Sequence, residues 1–224
     1  MAREKLDSEV RREQIAEAAL ALVADRGVGR LSIAAVARRV GLVPSGIYRH
    51  FRSKEEMLLA VLDRIEARLD ENVREARGDS PEPLEQIRGL LLRHVRFIRE
   101  GRAVPRIVFS DDFHRGQPER MARLQKIIAG YLGHVAELVR QGQQRGSVRA
   151  DLDPPTVALM FLGIVVPAGV LWHVTEGGFD VTRHAERAWL ILRKAIAADP
   201  APAAHANRKP PPGDVNEQSQ GAGP

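Results

Sequence analysis

The chain has 224 residues, 44% hydrophobic and 28% charged, an ordinary soluble balance with length for one or two domains around a real core. It contains no cysteine, which excludes disulfides, thiol nucleophiles and thiolate metal sites. The net charge of +5 is uneven: residues 1–53 hold ten Lys/Arg against six Asp/Glu, as expected of a segment that faces phosphate.

Residues 1–7 read as a loosely ordered, polar basic arm. A helix is expected over 8–26, with Ile15, Ala19, Leu22 and Val23 as its apolar stripe and Gly27 as its stop. Ser32 can cap a second helix through its hydroxyl. Ile33, Val36, Ala37 and Val40 then recur at helical spacing, and Gly41 ends the run. Pro44 opens a third helix, where its missing N–H does no harm. Val43, Ile47 and Phe51, four apart, are expected to face inward. That turns Ser45, Tyr48, Arg49 and Arg52 toward solvent. A helix, a glycine turn and a helix with a polar basic face make a helix-turn-helix over about 32–51. Spacing alone equally describes an ordinary helical hairpin.

Two residues weigh for the first. Lys54 stands in the first turn of the next helix, where the macrodipole disfavours a cation. Ser53 and Glu56 have capping-box spacing around it. A phosphate partner explains such a lysine better than stability does. Tyr48, an aromatic with a polar tip on an exposed face, also suits phosphate.

The run GLVPSGIYRHFRSKEEML (41–58) resembles the recognition helix and junction of the tetracycline-repressor (TetR/AcrR) family of bacterial transcription regulators. The matching pieces are Gly41, Ile47-Tyr48, His50-Phe51 and Ser53-Lys54-Glu55-Glu56. The resemblance is strong over about 11–65 and only architectural beyond. It implies a homodimeric, all-α, ligand-responsive DNA-binding protein without cofactor. Carried onto this chain, it points to Pro44, Ser45, Gly46, Tyr48, Arg49, His50 and Lys54 as the DNA-binding set. Arg49 suits a bidentate bond to guanine. Gly46 lets the backbone approach closely, and His50 divides between packing and contact. Ile33, Ala34 and Val43 depart from the polar residues of many relatives. That moves base reading away from the second helix, where Arg38 and Arg39 suit a solvated face as well as DNA.

A long helix over 54–77, with Leu58, Val61, Ile65 and Leu69 on one face, would join this head to a body. The break at 78–83 is GDSPEP. The expected division is a DNA-binding domain at 8–68, an effector and dimerisation domain at 69–198, and a disordered tail at 199–224, rich in Pro, Ala and Gly. The body is expected to be helical at 83–99, 104–114, 118–145, from Pro154 (capped by Asp153) through 172, and at 181–197, about nine helices in all. Residues 157–172 carry no charge. They fall short of the roughly 20 residues of a membrane span and include Pro167. A buried helix apolar all round is the reading, and it asks for a partner surface. The resemblance places a dimer interface on the last two helices.

No glycine-rich phosphate loop or nucleophile elbow is present, so an enzyme is not expected. Asp111, Asp112 and His114 are the one compact acidic-histidine cluster, and they read as helix-end polarity, not as a metal site. Candidate lining of a small-molecule pocket is His94, Phe97, Phe109, Phe113, His114, Met121, Tyr131, Met160, Phe161 and Trp172. These residues describe a plain core equally well. The whole reads as a cytoplasmic repressor on a palindromic operator, released by a small apolar or amphipathic effector. A helical binding module without operator specificity and an uncatalogued helical enzyme are the alternatives.

Overall fold

The computed structural model describes residues 2–100, 103–108, 110–114 and 118–199. The tail from 200 onward and Phe109 lie outside the described residues. The described residues form ten α-helices: α1 (Ala2–Arg26), α2 (Ile33–Arg39), α3 (Pro44–Tyr48), α4 (Lys54–Asp79), α5 (Pro83–Glu100), α6 (Ala103–Val108), α7 (Asp111–His114), α8 (Pro118–Gln144), α9 (Pro154–Val174) and α10 (Val181–Ile196). A 3-10 turn at Val28–Arg30 joins α1 to α2. Among the described residues the one β contact is an isolated antiparallel bridge, Val148 to Ala197. The architecture is all-α, an N-terminal helix-turn-helix followed by a helical body. In place of the one piece expected at 104–114, the described residues form the two short helices α6 and α7.

The expected arm is helical, because α1 starts at Ala2. AREKLDSE holds strong helix formers and neither Gly nor Pro, so nothing stops the helix before Gly27. In the head, Ile15, Ala19 and Val23 of α1 close over Val36 and Ala37 of α2 and over Ile47 and Phe51. Val43 is a correction: it is 65% exposed. It is the N-cap of α3, with extended backbone at φ −80° and ψ 152°. The four-residue spacing to Ile47 therefore does not run along a helix surface.

The rod α4 runs unbroken through residues 68 and 69. Its 26 residues span about 39 Å at 1.5 Å per residue. It packs on α1 in the head and on α5 and α8 in the body. One connected apolar core reaches from Ile15 to Ile196. Charge reinforces the packing of α8 on the rod. Arg123 of α8 binds Asp63 at 2.6 Å and also Glu66. Arg120, its side chain 5% exposed, lies 3.0 Å from Glu55 and 5.1 Å from the centre of the Phe113 ring.

The helix α9 has Asp153 as its cap, with Thr156 N donating to the carboxylate at 3.0 Å. Its 21 residues are long and apolar enough to cross a membrane by length and composition, a test that core helices also pass. It packs along α8 and against α5 and α10. Within one chain it is not buried on every side, since Leu159, Met160, Val166, Leu171 and Val174 are exposed. One chain supplies neighbours for only part of an all-round apolar helix.

Candidate nucleic-acid interface and body cavity

Local chemistry shapes the head. Ser32 Oγ accepts from Ala35 N at 3.2 Å and starts α2. Gly41 takes φ +68°, the left-handed conformation that ends a helix at little cost only for glycine. Pro44 then opens α3, and the Phe51 N–H donates to the Ile47 carbonyl at 2.9 Å just past its end. With Ile47 and Phe51 fully buried, Ser45, Tyr48 and Arg49 at i, i+3 and i+4 share the outer face. All three are exposed, as are Pro44 and Lys54, with Tyr48 at 56%.

Gly46 is half-buried, and a Cβ there would meet the Leu42 side chain at 3.6 Å, an ordinary contact. His50 is also half-buried. Burial first, then the charges of Arg11, Arg12 and Arg49, lowers its pKa, so it stays uncharged at neutral pH. Its backbone carbonyl accepts from Arg12. Arg39 is paired with Asp25 at 2.8 Å.

Sequence reasoning did not single out Arg12, and it pins α1 to the end of α3. Its guanidinium sits 4.1 Å above the Phe51 ring and 2.9 Å from Glu56. Glu56 completes its cap one residue earlier than the motif predicts. It accepts the Arg52 N–H at 2.7 Å, while its own N–H donates to Ser53 Oγ at 3.1 Å. The Arg52 N–H above all, with Arg12, holds its carboxyl below the usual range. No sequence period announces Arg12, because its partners lie 38 and 44 residues away.

The body holds an apolar cavity of about 130 Å³ between α4, α5, α6, α8 and α9. Ile65 and Leu69 of the rod form one wall, and Leu124, Ile127 and Ile128 of α8 another. Of the expected lining, His94, Phe97 and Tyr131 are brought together there. The others are not. Phe161 is buried behind Tyr131, with ring centres 6.2 Å apart. Phe113 packs under Arg120. Trp172 is buried beneath the turn at Gly177. His114 is exposed, with Met121 sulfur 3.2 Å from Nδ1, and Met160 is exposed on α9. Ile65, Leu69, Leu124 and Ile127 were missed as lining residues, because aliphatic side chains at helical spacing look the same around a core and around a hole.

The polar content of this cavity is one pair. The Tyr131 hydroxyl lies 2.8 Å from His94 Nδ1, and the rings meet edge to face at 5.0 Å. Burial alone pushes His94 down to about 4 from its ordinary 6.5. The unfolded chain takes up this proton below about pH 6.5, and the folded chain only near pH 4. The neutral histidine's stability contribution is complete above 6.5 and is lost as pH falls toward 4, roughly 3 kcal/mol in all. Urea unfolding at pH 7 and pH 5 is expected to show His94→Leu losing about 2 kcal/mol less than the parent on acidification. Equal losses would show that His94 is not the group responsible.

Residues 15–61 match the N-terminal domain described as bacterial regulatory proteins, tetR family. Residues 80–196 match the tetracyclin repressor-like C-terminal domain. The chain belongs to the tetR family.

The HTH-type transcriptional regulator TtgR of Pseudomonas putida is 30% identical over 158 residues, 66% of this chain and 75% of that protein. FadR of Bacillus subtilis, solved in complex with stearoyl-CoA, superposes with a TM-score of 0.71 at 20% identity, covering 82% of this chain and 98% of FadR. The SmeT–triclosan complex gives 0.70 at 21% identity, covering 84% and 92%. The two structures share the fold. As a tetR-family protein the chain is a ligand-responsive, DNA-binding transcriptional repressor, and not an enzyme. The resemblance seen at 41–58 therefore identifies the family correctly.

Proposed function

We propose that the protein acts in the cytoplasm, off the membrane, as a homodimer whose two α3 helices read the half-sites of a palindromic operator. Pro44, Ser45, Gly46, Tyr48, Arg49, His50 and Lys54 form the DNA-facing set, Arg49 reading bases and Tyr48 and Lys54 holding phosphate. The single observation that carries this reading is the rod α4. Its first residue, Lys54, borders the exposed face of α3, and its Ile65 and Leu69 form a wall of the apolar cavity. Head and cavity thus share one rigid element. The labour divides within it, near residues 68 and 69.

The dimer partner is a second copy seated on α9 and α10. The exposed Leu159, Met160, Val166, Leu171 and Val174 recur at helical spacing on α9, and Leu190 and Ile191 stand exposed on α10. Like-on-like pairing of such a face is the usual route to two-fold symmetry, which a palindromic operator mirrors. A small apolar or amphipathic effector in the body would separate α4 from α8. Release requires that it bind the non-reading state more tightly than the reading state. Stearoyl-CoA in FadR and triclosan in SmeT support an effector of apolar character.

Operator binding by fluorescence anisotropy tests the head. Arg49→Ala is expected to lose about 1–3 kcal/mol of discrimination between operator and mismatched duplex. Lys54→Ala is expected to weaken binding to all DNA and to reduce the salt slope by about one, and Tyr48→Phe to weaken all DNA alike. Unchanged affinity in all three variants would remove α3 from the interface.

A further inference from the structure

The His94–Tyr131 pair has more hydrogen-bonding capacity than the protein uses. The two residues are 6% and 4% exposed, set in an otherwise apolar cavity wall. Tyr131 occupies His94 Nδ1, and no protein group among the described residues bonds His94 Nε2. Two proton arrangements are open to such a pair. In the first, the Tyr131 O–H donates to Nδ1, and the Nε2–H and the hydroxyl oxygen's lone pair lack partners. In the second, Nδ1–H donates to the hydroxyl oxygen, and both the tyrosine proton and the Nε2 lone pair lack one. The phenol O–H is the stronger donor and the imidazole nitrogen the stronger acceptor, so the first arrangement prevails. The imidazole then offers the cavity one N–H donor and no acceptor.

We propose that the cavity takes an uncharged apolar molecule with one acceptor oxygen, a ketone, ester or lactone, whose oxygen accepts from His94 Nε2–H while Tyr131 fixes the ring. This rests on the body cavity being the effector site. Among the described residues no Lys, Arg, Asp or Glu lines it, so a carboxylate would give up its hydration without meeting a counter-charge there. A hydrocarbon leaves the N–H unmet. The volume of about 130 Å³ is close to the roughly 150 Å³ cavity that holds benzene, which suits one ring with a short substituent.

Isothermal titration of the full chain, without DNA, with acetophenone, its oxygen-free isostere cumene, and benzoate tests this. Acetophenone is expected to bind about tenfold more tightly than cumene, one hydrogen bond's worth, and benzoate more weakly than both. His94→Leu should bring acetophenone down to the affinity of cumene while leaving cumene binding in place, which shows the cavity still formed. Tyr131→Phe should narrow the ketone preference without abolishing it. Equal binding of ketone and hydrocarbon, tightest binding of benzoate, a ketone preference that survives His94→Leu, or no binding of any of the three would each overturn the proposal. Operator affinity with and without acetophenone is read separately. A ketone that binds in the predicted order yet leaves operator affinity unchanged upholds the site and removes its role as the effector site.

Discussion

Ile191→Glu is expected to yield a folded monomer that no longer holds an operator. Ile191 is 72% exposed on α10 in the single chain, so the change disturbs nothing within one copy. Helical content should stay close to the parent's, while the urea midpoint falls by the stabilisation that dimerisation adds. In the proposed dimer the same position is covered by the second copy. A two-fold interface buries the substitution twice, once from each protomer. Burying a carboxylate without a partner costs several kcal/mol, and each 1.4 kcal/mol is about tenfold in the dissociation constant. The dimer should therefore weaken by at least about 100-fold. Two heads would then bind their half-sites independently, and the gain from linking them would vanish. Sedimentation velocity reads the first effect and operator anisotropy the second. A variant that remains dimeric at micromolar concentration would exclude α10 from the interface.

Phe51→Ala is expected to open the reading head while sparing the body. Phe51 has no exposed surface. It plugs the end of α3, with the Arg12 guanidinium 4.1 Å above its ring. Truncating a buried phenylalanine costs about 3–5 kcal/mol. Here the loss also takes away the ring on which Arg12 rests while holding the His50 carbonyl and Glu56. The short helices α2 and α3 cannot persist unpacked, since isolated helices of this length are unstable in water. Amide exchange across 33–51 should accelerate by at least about 100-fold. Residues of α5 and α9 should exchange as in the parent, because none of their buried side chains belongs to the head. DNA binding is expected to be lost with ligand binding retained. Phe51→Leu, which keeps most of the volume, should sit between the two. Uniform acceleration through the body would show that head and body unfold as one unit.

The head was legible because its signals are local. A capping serine, a glycine that must take φ +68° and a proline at the first helical position lie within thirteen residues of one another. Each constrains its own backbone whatever surrounds it. The exposed Tyr48 and Arg49 follow from the same short-range logic, since burying Ile47 and Phe51 turns them outward. Val43 misled because counting by fours ignores where a helix begins. Among the body residues, apolar spacing located the helices well but could not say which side chains frame a cavity. His94, Phe97 and Tyr131 meet there, whereas Phe113, Phe161 and Trp172, of the same chemical kind, were spent on packing.

What the amino-acid order settles by itself is the run of helices, the family and the polar face of α3, because capping, glycine conformation and i, i+4 spacing act over a few residues. Only the tertiary structure decides that Arg12 braces Phe51 and His50, that Arg120 and Arg123 fasten α8 to the rod, and that α9 is left half uncovered. Those outcomes depend on which helices become neighbours. Side chains dozens of residues apart are brought together by the sum of many apolar contacts, and no short window of sequence contains that sum.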